Sequence, residues 1–162
     1  GRIPLLNPQL YKASDYGTIQ SDHSDDIVYD MMKSIYAYGP ITVTMNAGPL
    51  GSYNGGVMTE SSIRCYVDEC SSLDSPDHVL ALVGWGEASG VKYWIVQNSW
   101  GENWGEQGFF RIQRGINLMG IENSFTWVDA QAPTCFTSTL NQPGNYEELA
   151  IQSGSDLFIT TS

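Results

Sequence analysis

The 162-residue sequence predicts an α+β fold, with one helix near its N-terminal side and an antiparallel sheet or barrel after it. Three observations carry that prediction. Apolar residues recur at helical spacing between Ser24 and Tyr38. Three runs rich in β-branched and aromatic residues, His78 to Trp85, Val91 to Gln97 and Phe109 to Gln113, follow one another with only glycine-punctuated connections between them. A composition of 41% hydrophobic and 15% charged residues gives these elements apolar surface to bury against one another.

Residues 1–22 mix Pro4, Asn7, Pro8 and Gly17 with scattered apolar residues and read as an irregular leader or interdomain crossing. The helix follows. Ile27, Val28, Met31, Met32, Ile35 and Tyr36 fall on one face, and Ser24 with Asp25 and Asp26 offers an N-cap and acidic first-turn residues. Gly39-Pro40 ends it, and its Met and Tyr stripe reads as core packing. Ile41–Met45 alternates and is β-branched, so a strand comes directly after the helix. Ala47 to Val57 strings turn residues into a surface loop, in which Tyr53 to Gly56 fits equally a simple turn or backbone beside a cleft. The three later strands are joined through Gly86–Gly90 and Gly101–Gly108, close enough to pair antiparallel, and Phe125–Val128 adds a last strand. Beyond Ala130 the composition turns to Pro, Thr, Ser, Asn and Gln. The chain thus divides into the leader at 1–22, a β-rich domain at 23–130 and a polar C-terminal extension at 131–162.

Seven basic against 18 acidic residues give a net charge of −11, a field that repels a phosphate backbone and argues against a nucleic-acid partner. The same charge serves solubility and suits an acidic or extracellular compartment. No run approaches the roughly 20 apolar residues of a membrane span. The opening Gly1-Arg2-Ile3-Pro4 reads as a processed product or partial chain. Cys65 and Cys70 suit a small disulfide loop, the alternative being two separate thiols, and Cys135 is left over. Three cysteines without a second Cys-His cluster make poor zinc ligands, so neither a metal nor another cofactor is expected.

His78 opens an apolar strand and Asn98 ends the next one, 20 positions later. An imidazole at a strand mouth can act as general base, and a carboxamide can accept its other N–H and fix the ring's tautomer and direction. Trp100 stands two residues on, placed to keep water from that bond. A lone histidine on an apolar strand is ordinarily structural, and Trp85 and Trp94 read as core aromatics. His23, beside Asp22 and Asp25, reads as a surface residue at the helix entrance.

Asp77-His78, Gly84-Trp85-Gly86 and the run from Tyr93-Trp94-Ile95-Val96-Gln97-Asn98-Ser99-Trp100-Gly101 through Trp104-Gly105-Glu106-Gln107-Gly108-Phe109-Phe110-Arg111-Ile112 closely resemble the C-terminal half of papain-like cysteine peptidases. Tyr53-Asn54-Gly55-Gly56-Val57, the Met31 to Ile41 unit, Arg114-Gly115 and Gly120-Ile121-Glu122-Asn123 fit the same pattern. Within the family, Asp15-Tyr16-Gly17 and the helix segment look most like the cathepsin X (or Z) type, with the cathepsin B type second. The resemblance implies the β-rich C-terminal domain of a two-domain fold whose cleft lies between the halves. It implies His78 as base, Asn98 as its orienter, Trp100 as their shield and Trp104 lining the leaving-group side of the cleft. Ser124 would sit at the base of the pocket for the substrate's second side chain. The implied reaction is thiolate attack on a peptide carbonyl and hydrolysis of the acyl-enzyme. The implied localisation is lysosomal, vacuolar or extracellular.

One departure matters as much as the match. The family's nucleophile lies in a Cys-Gly-Ser/Ala-Cys-Trp type motif about 130 residues before its histidine, whereas 77 residues precede His78 and none of the three cysteines sits in that context. Two readings follow. In one, the chain is the C-terminal part of a peptidase acting on peptide or protein substrates, its cysteine supplied by an N-terminal half or partner chain. In the other, it is a papain-fold binding or structural module without a nucleophile.

Overall fold

The helix starts where its cap is best satisfied. In the computed structural model, which describes residues 12–24, 26–63 and 76–131, α1 spans Ile27–Tyr38. Asp26, not Ser24, is the N-cap: its carboxylate accepts from the Tyr29 N–H at 3.0 Å and satisfies one of the helix's orphan donors. Ser24 instead donates to the Asp30 carboxylate at 2.7 Å. Gly39 closes the helix as expected, taking φ +89° and donating its N–H to the Ile35 carbonyl at 2.9 Å.

Among the described residues seven strands build one sheet: β1 (Lys12–Gln20), β2 (Ile41–Met45), β3 (Val57–Met58), β4 (His78–Ala88), β5 (Val91–Gln97), β6 (Phe109–Gln113) and β7 (Ser124–Gln131). Their order across the sheet is β1-β7-β2-β4-β5-β6-β3. All pairings are antiparallel except the short β3–β6 pair, so the sheet is mixed. Helix α1 packs across β7, β4 and β2. Alternate residues on one face of the sheet form the core: Ile41, Val43 and Met45 of β2, Leu80 and Leu82 of β4, Trp94 and Val96 of β5, Phe110 and Ile112 of β6 and Phe125 of β7, with Met31 and Ile35 from the helix. Burying each such side chain stabilises the fold by about 1.5–3 kcal/mol before conformational entropy is charged against it. Trp94 is fully buried and Trp85 packs against the core, as core aromatics should.

The main correction concerns the 12–22 part of the leader, read from sequence as irregular. Lys12–Gln20 is a nine-residue edge strand paired with β7. Its side chains are nearly all exposed, so it lacks the buried alternation by which strands are recognised in sequence. Gly17 lies under the Trp127 indole, where a Cβ would come within 2.9 Å of the ring, and Trp127 in turn stacks on Tyr38 of α1 at 4.6 Å. Residues Cys65, Cys70 and Cys135, the 132–162 part of the extension and the first eleven residues lie outside the described residues, and with them the expected Cys65–Cys70 loop. Among the described residues no helix is long and apolar enough to cross a membrane.

Candidate active site

The antiparallel register of β4 and β5 sets Ala81 opposite Gln97, so its continuation brings Asn98 opposite Leu80, two residues from His78 on the same face. The strand mouth is held firmly. His78 pairs with Met45 of β2, the Asp77 N–H donates to the Met45 carbonyl at 3.2 Å, and the Asp77 carboxylate accepts from the Ala47 N–H at 2.8 Å. Asn98 is fixed by donating its backbone N–H to the Gly108 carbonyl at 2.9 Å.

His78 Nε2 lies 2.9 Å from Asn98 Oδ1. The direction of this bond follows from a third group: the Ser99 N–H donates to the same Oδ1 at 2.8 Å, so the atom there must be the carboxamide oxygen. Nε2 therefore carries the proton, and Nδ1 is left as the basic nitrogen of the neutral ring. Asn98 is buried, and its Nδ2 has no partner among the described residues. Over the pair lies Trp100, its ring 5.5 Å from the imidazole and 45% exposed. Trp104 meets Trp100 edge-on at 5.1 Å and is itself backed by Tyr53 at 5.6 Å and Phe110 at 5.8 Å. The Trp100–Trp104 and Trp104–Phe110 pairs, at 80°, have the edge-to-face geometry that aromatic pairs prefer, and Tyr53 lies tilted at 38° to Trp104.

The structure thus brings His78, Asn98, Trp100 and Trp104 into one cluster. Ser124 stands apart from it. It opens β7, half-buried, opposite Gln20 of β1. Extending the β2–β7 register by one residue aligns Ser124 with Thr44, which pairs with Val79, the neighbour of His78 in β4, on the face opposite Phe125.

Sequence reasoning missed the support beneath the rings. Glu106 receives the Arg111 guanidinium in bidentate fashion, Nε to Oε2 at 2.9 Å and Nη2 to Oε1 at 2.6 Å, and also accepts from the Gly56 N–H at 2.9 Å. The Arg111 guanidinium holds the Glu106 carboxyl below the usual carboxylate range. Tyr53 donates its hydroxyl to the Gly56 carbonyl at 2.7 Å and accepts from the Arg111 N–H at 3.2 Å, and burial pushes its phenol up. The available signal was a Glu and an Arg five residues apart across a glycine-rich turn. It points to a pair but not to the 53–56 loop that the pair holds.

A second carboxylate, Glu122, is 3% exposed and accepts from Trp94 Nε1 at 2.8 Å, the Gly115 N–H at 2.7 Å and the Asn117 N–H at 2.6 Å. Among the described residues no group of His, Cys, Asp and Glu could hold a metal ion.

Residues 6–128 match the model of a protein family described as papain family cysteine protease. A cysteine protease of Blomia tropicalis is 35% identical over 124 residues, covering 76% of this chain and 34% of its own length. A cathepsin B-like protein, CP1, of Giardia intestinalis is 37% identical over 117 residues, covering 71% of this chain and 34% of its own. A solved structure from the mite allergens Blo t 1 and Der p 1 superposes with a TM-score of 0.61 at 34% identity, over 78% of this chain and 38% of that one. The chain therefore spans little more than a third of the length of these relatives.

Proposed function

The chain belongs to the papain family of cysteine proteases, and from that premise we propose that it supplies the catalytic histidine and asparagine for thiolate-mediated hydrolysis of peptide bonds, the nucleophilic cysteine coming from an upstream half or a partner chain. The observation that carries this reading is the His78–Asn98 bond at 2.9 Å, with its direction set by the Ser99 N–H. A histidine so held presents Nδ1 as a base of fixed orientation. Nδ1 takes the thiol proton, and the thiolate adds to the substrate carbonyl. The imidazolium then returns that proton to the leaving amine as the C–N bond breaks. In the second half of the cycle Nδ1 takes a proton from water, whose oxygen attacks the thioester, and the thiol is restored. Throughout, Nε2–H stays on Asn98 Oδ1.

Trp100 keeps water from that bond, Trp104 lines the side where the leaving peptide sits, and Ser124, aligned with Val79, forms the floor of the pocket for the substrate's second side chain. The substrates are peptides or proteins, and the strongly acidic chain suits a lysosomal, vacuolar or extracellular setting.

The test uses native material containing this chain, treated with iodoacetamide at about pH 5, where an ordinary thiol of pKa about 8.5 is almost wholly protonated and unreactive. Mass-spectrometric sequencing should find the label on a cysteine other than Cys65, Cys70 or Cys135, followed by Trp and preceded in its chain by a Gln. Absence of such a cysteine, or Ser or Gly in its place, sinks the peptidase reading and leaves a papain-fold binding module.

A further inference from the structure

The rings over His78 have few restraints of their own. Trp104 Nε1 and Asn98 Nδ2 are both buried and without a hydrogen-bond partner among the described residues, so neither side chain is oriented by its own N–H donor. Asn98 is held through its Oδ1 by the Ser99 N–H and His78, whereas the placement of Trp104 rests on the backbone that carries it and on what packs behind it. That backbone is the 101–109 turn, in which Gly105, Gln107 and Gly108 all take positive φ, +58°, +57° and +89°. A non-glycine residue in the left-handed region, such as Gln107, persists only where its surroundings over-determine it. Here the turn is closed by Gly108 N–H to the Trp104 carbonyl at 2.8 Å, Glu106 N–H to the Phe109 carbonyl at 2.8 Å and Asn98 N–H to the Gly108 carbonyl at 2.9 Å. It has no slack, since a Cβ on Gly105 would lie 2.6 Å from the Phe109 carbonyl oxygen and 3.2 Å from the Tyr53 ring.

From this geometry we infer that Tyr53, Glu106 and Arg111 form a positioning unit for the His78–Asn98 pair. Glu106 sits inside the turn and clamps it to the 53–56 loop through Gly56 and to β6 through Arg111. Tyr53, fixed by Gly56 and Arg111 at its hydroxyl, sets its ring against Trp104. Trp104 sets Trp100, and Trp100 covers the imidazole. In parallel, the Gly108 carbonyl of the clamped turn holds Asn98. The Glu106–Arg111 pair is about a third exposed, at 30% and 31%, a setting where ion pairs add little to stability. Its consequence is the orientation of His78.

The inference deepens the proposed peptidase reading, but its test needs no turnover. The chain is labelled with 15N, and the imidazole tautomer of His78 is read from long-range 1H–15N correlations at a pH where the ring is neutral. The wild type should show the Nε2–H form. Glu106→Gln and Arg111→Lys, the second keeping charge but losing the fork, should each raise the Nδ1–H population at least about threefold. Asp26→Ala, which removes the distant helix cap at a similar stability loss, should leave it unchanged. Should Glu106→Gln not fold, Tyr53→Phe replaces it. Unchanged tautomers in the folded variants, or an equal change in Asp26→Ala, overturn the positioning role. A wild type without the Nε2–H preference would instead overturn the His78–Asn98 reading beneath it.

Discussion

Glu106 and Glu122 are the same residue used in two ways. Both accept hydrogen bonds from backbone N–H groups and from a side chain, and both bridge segments far apart in sequence. Glu122 is buried, and its partners are Trp94 at the centre of the core and the turn between β6 and β7. Glu106 is about a third exposed, and its partners, Gly56 and Arg111, hold the loop whose Tyr53 backs Trp104. Burial decides what each is worth. An unpartnered donor in the core bears its full desolvation cost, whereas one at the rim finds water. The first carboxylate therefore supports the fold and the second the orientation of a few side chains.

The largest effect expected from breaking this contrast is in Glu122→Ala. It leaves three donors without their acceptor and should cost about 3–5 kcal/mol, read as a fall in melting temperature of more than about 10 °C by calorimetry. A loss below about 1 kcal/mol would mean water reaches Glu122 and the two carboxylates are alike. Next is Gly105→Ala, where the added Cβ meets a carbonyl oxygen at 2.6 Å in a left-handed position. About 1–3 kcal/mol should be lost in urea unfolding, with Trp104 fluorescence perturbed as well.

Glu106→Gln should cost only about 1 kcal/mol, after discounting for exposure. Its pH dependence sharpens the point. Because Arg111 lowers the folded-state value of Glu106, the pair's contribution is fully present above the ordinary carboxyl value of 4.5 and is lost as pH falls through the lower folded value. Stability curves of the wild type and Glu106→Gln should separate above about pH 4.5 and converge below it. A gap that persists in strong acid would show that shape, not charge, is what Glu106 contributes. Smallest of all, Trp100→Ala should alter stability by less than about 0.5 kcal/mol, since its ring is nearly half exposed, while speeding the acylation of His78 by diethylpyrocarbonate.

Much of this molecule was legible in sequence because its periodicities are strong. The stripe from Ile27 to Ile35 and the alternation in β2, β4 and β6 each bury one face, and burial writes itself into residue choice. β1 buries almost nothing and β3 is two residues long, so neither leaves such a trace. The same division holds at the site. His78, Asn98 and Trp100 lie on or just beyond two paired strands, where position follows from register, and Trp104 follows in the turn after them. Tyr53, Glu106 and Arg111 meet through turns with left-handed residues, and no spacing rule foretells that Tyr53 ends up beneath Trp104. The carboxylate on Trp94 was hidden for a related reason, its donors lying 5, 7 and 28 positions away.

An open sheet invites association at its two margins, where unpaired backbone groups can template a further strand. Among the described residues one margin is β3, too short to seed a ladder, and the other is β1. β1 carries Lys12, Ser14 and Asp15, and its register slips between Ala13 and Asp15. A charged, bulged strand is a poor template for a flat cross-β stack, and a net charge of −11 adds repulsion between copies. The strand that sequence periodicity overlooked is, by the same polarity, the one that discourages these sheets from growing into fibrils.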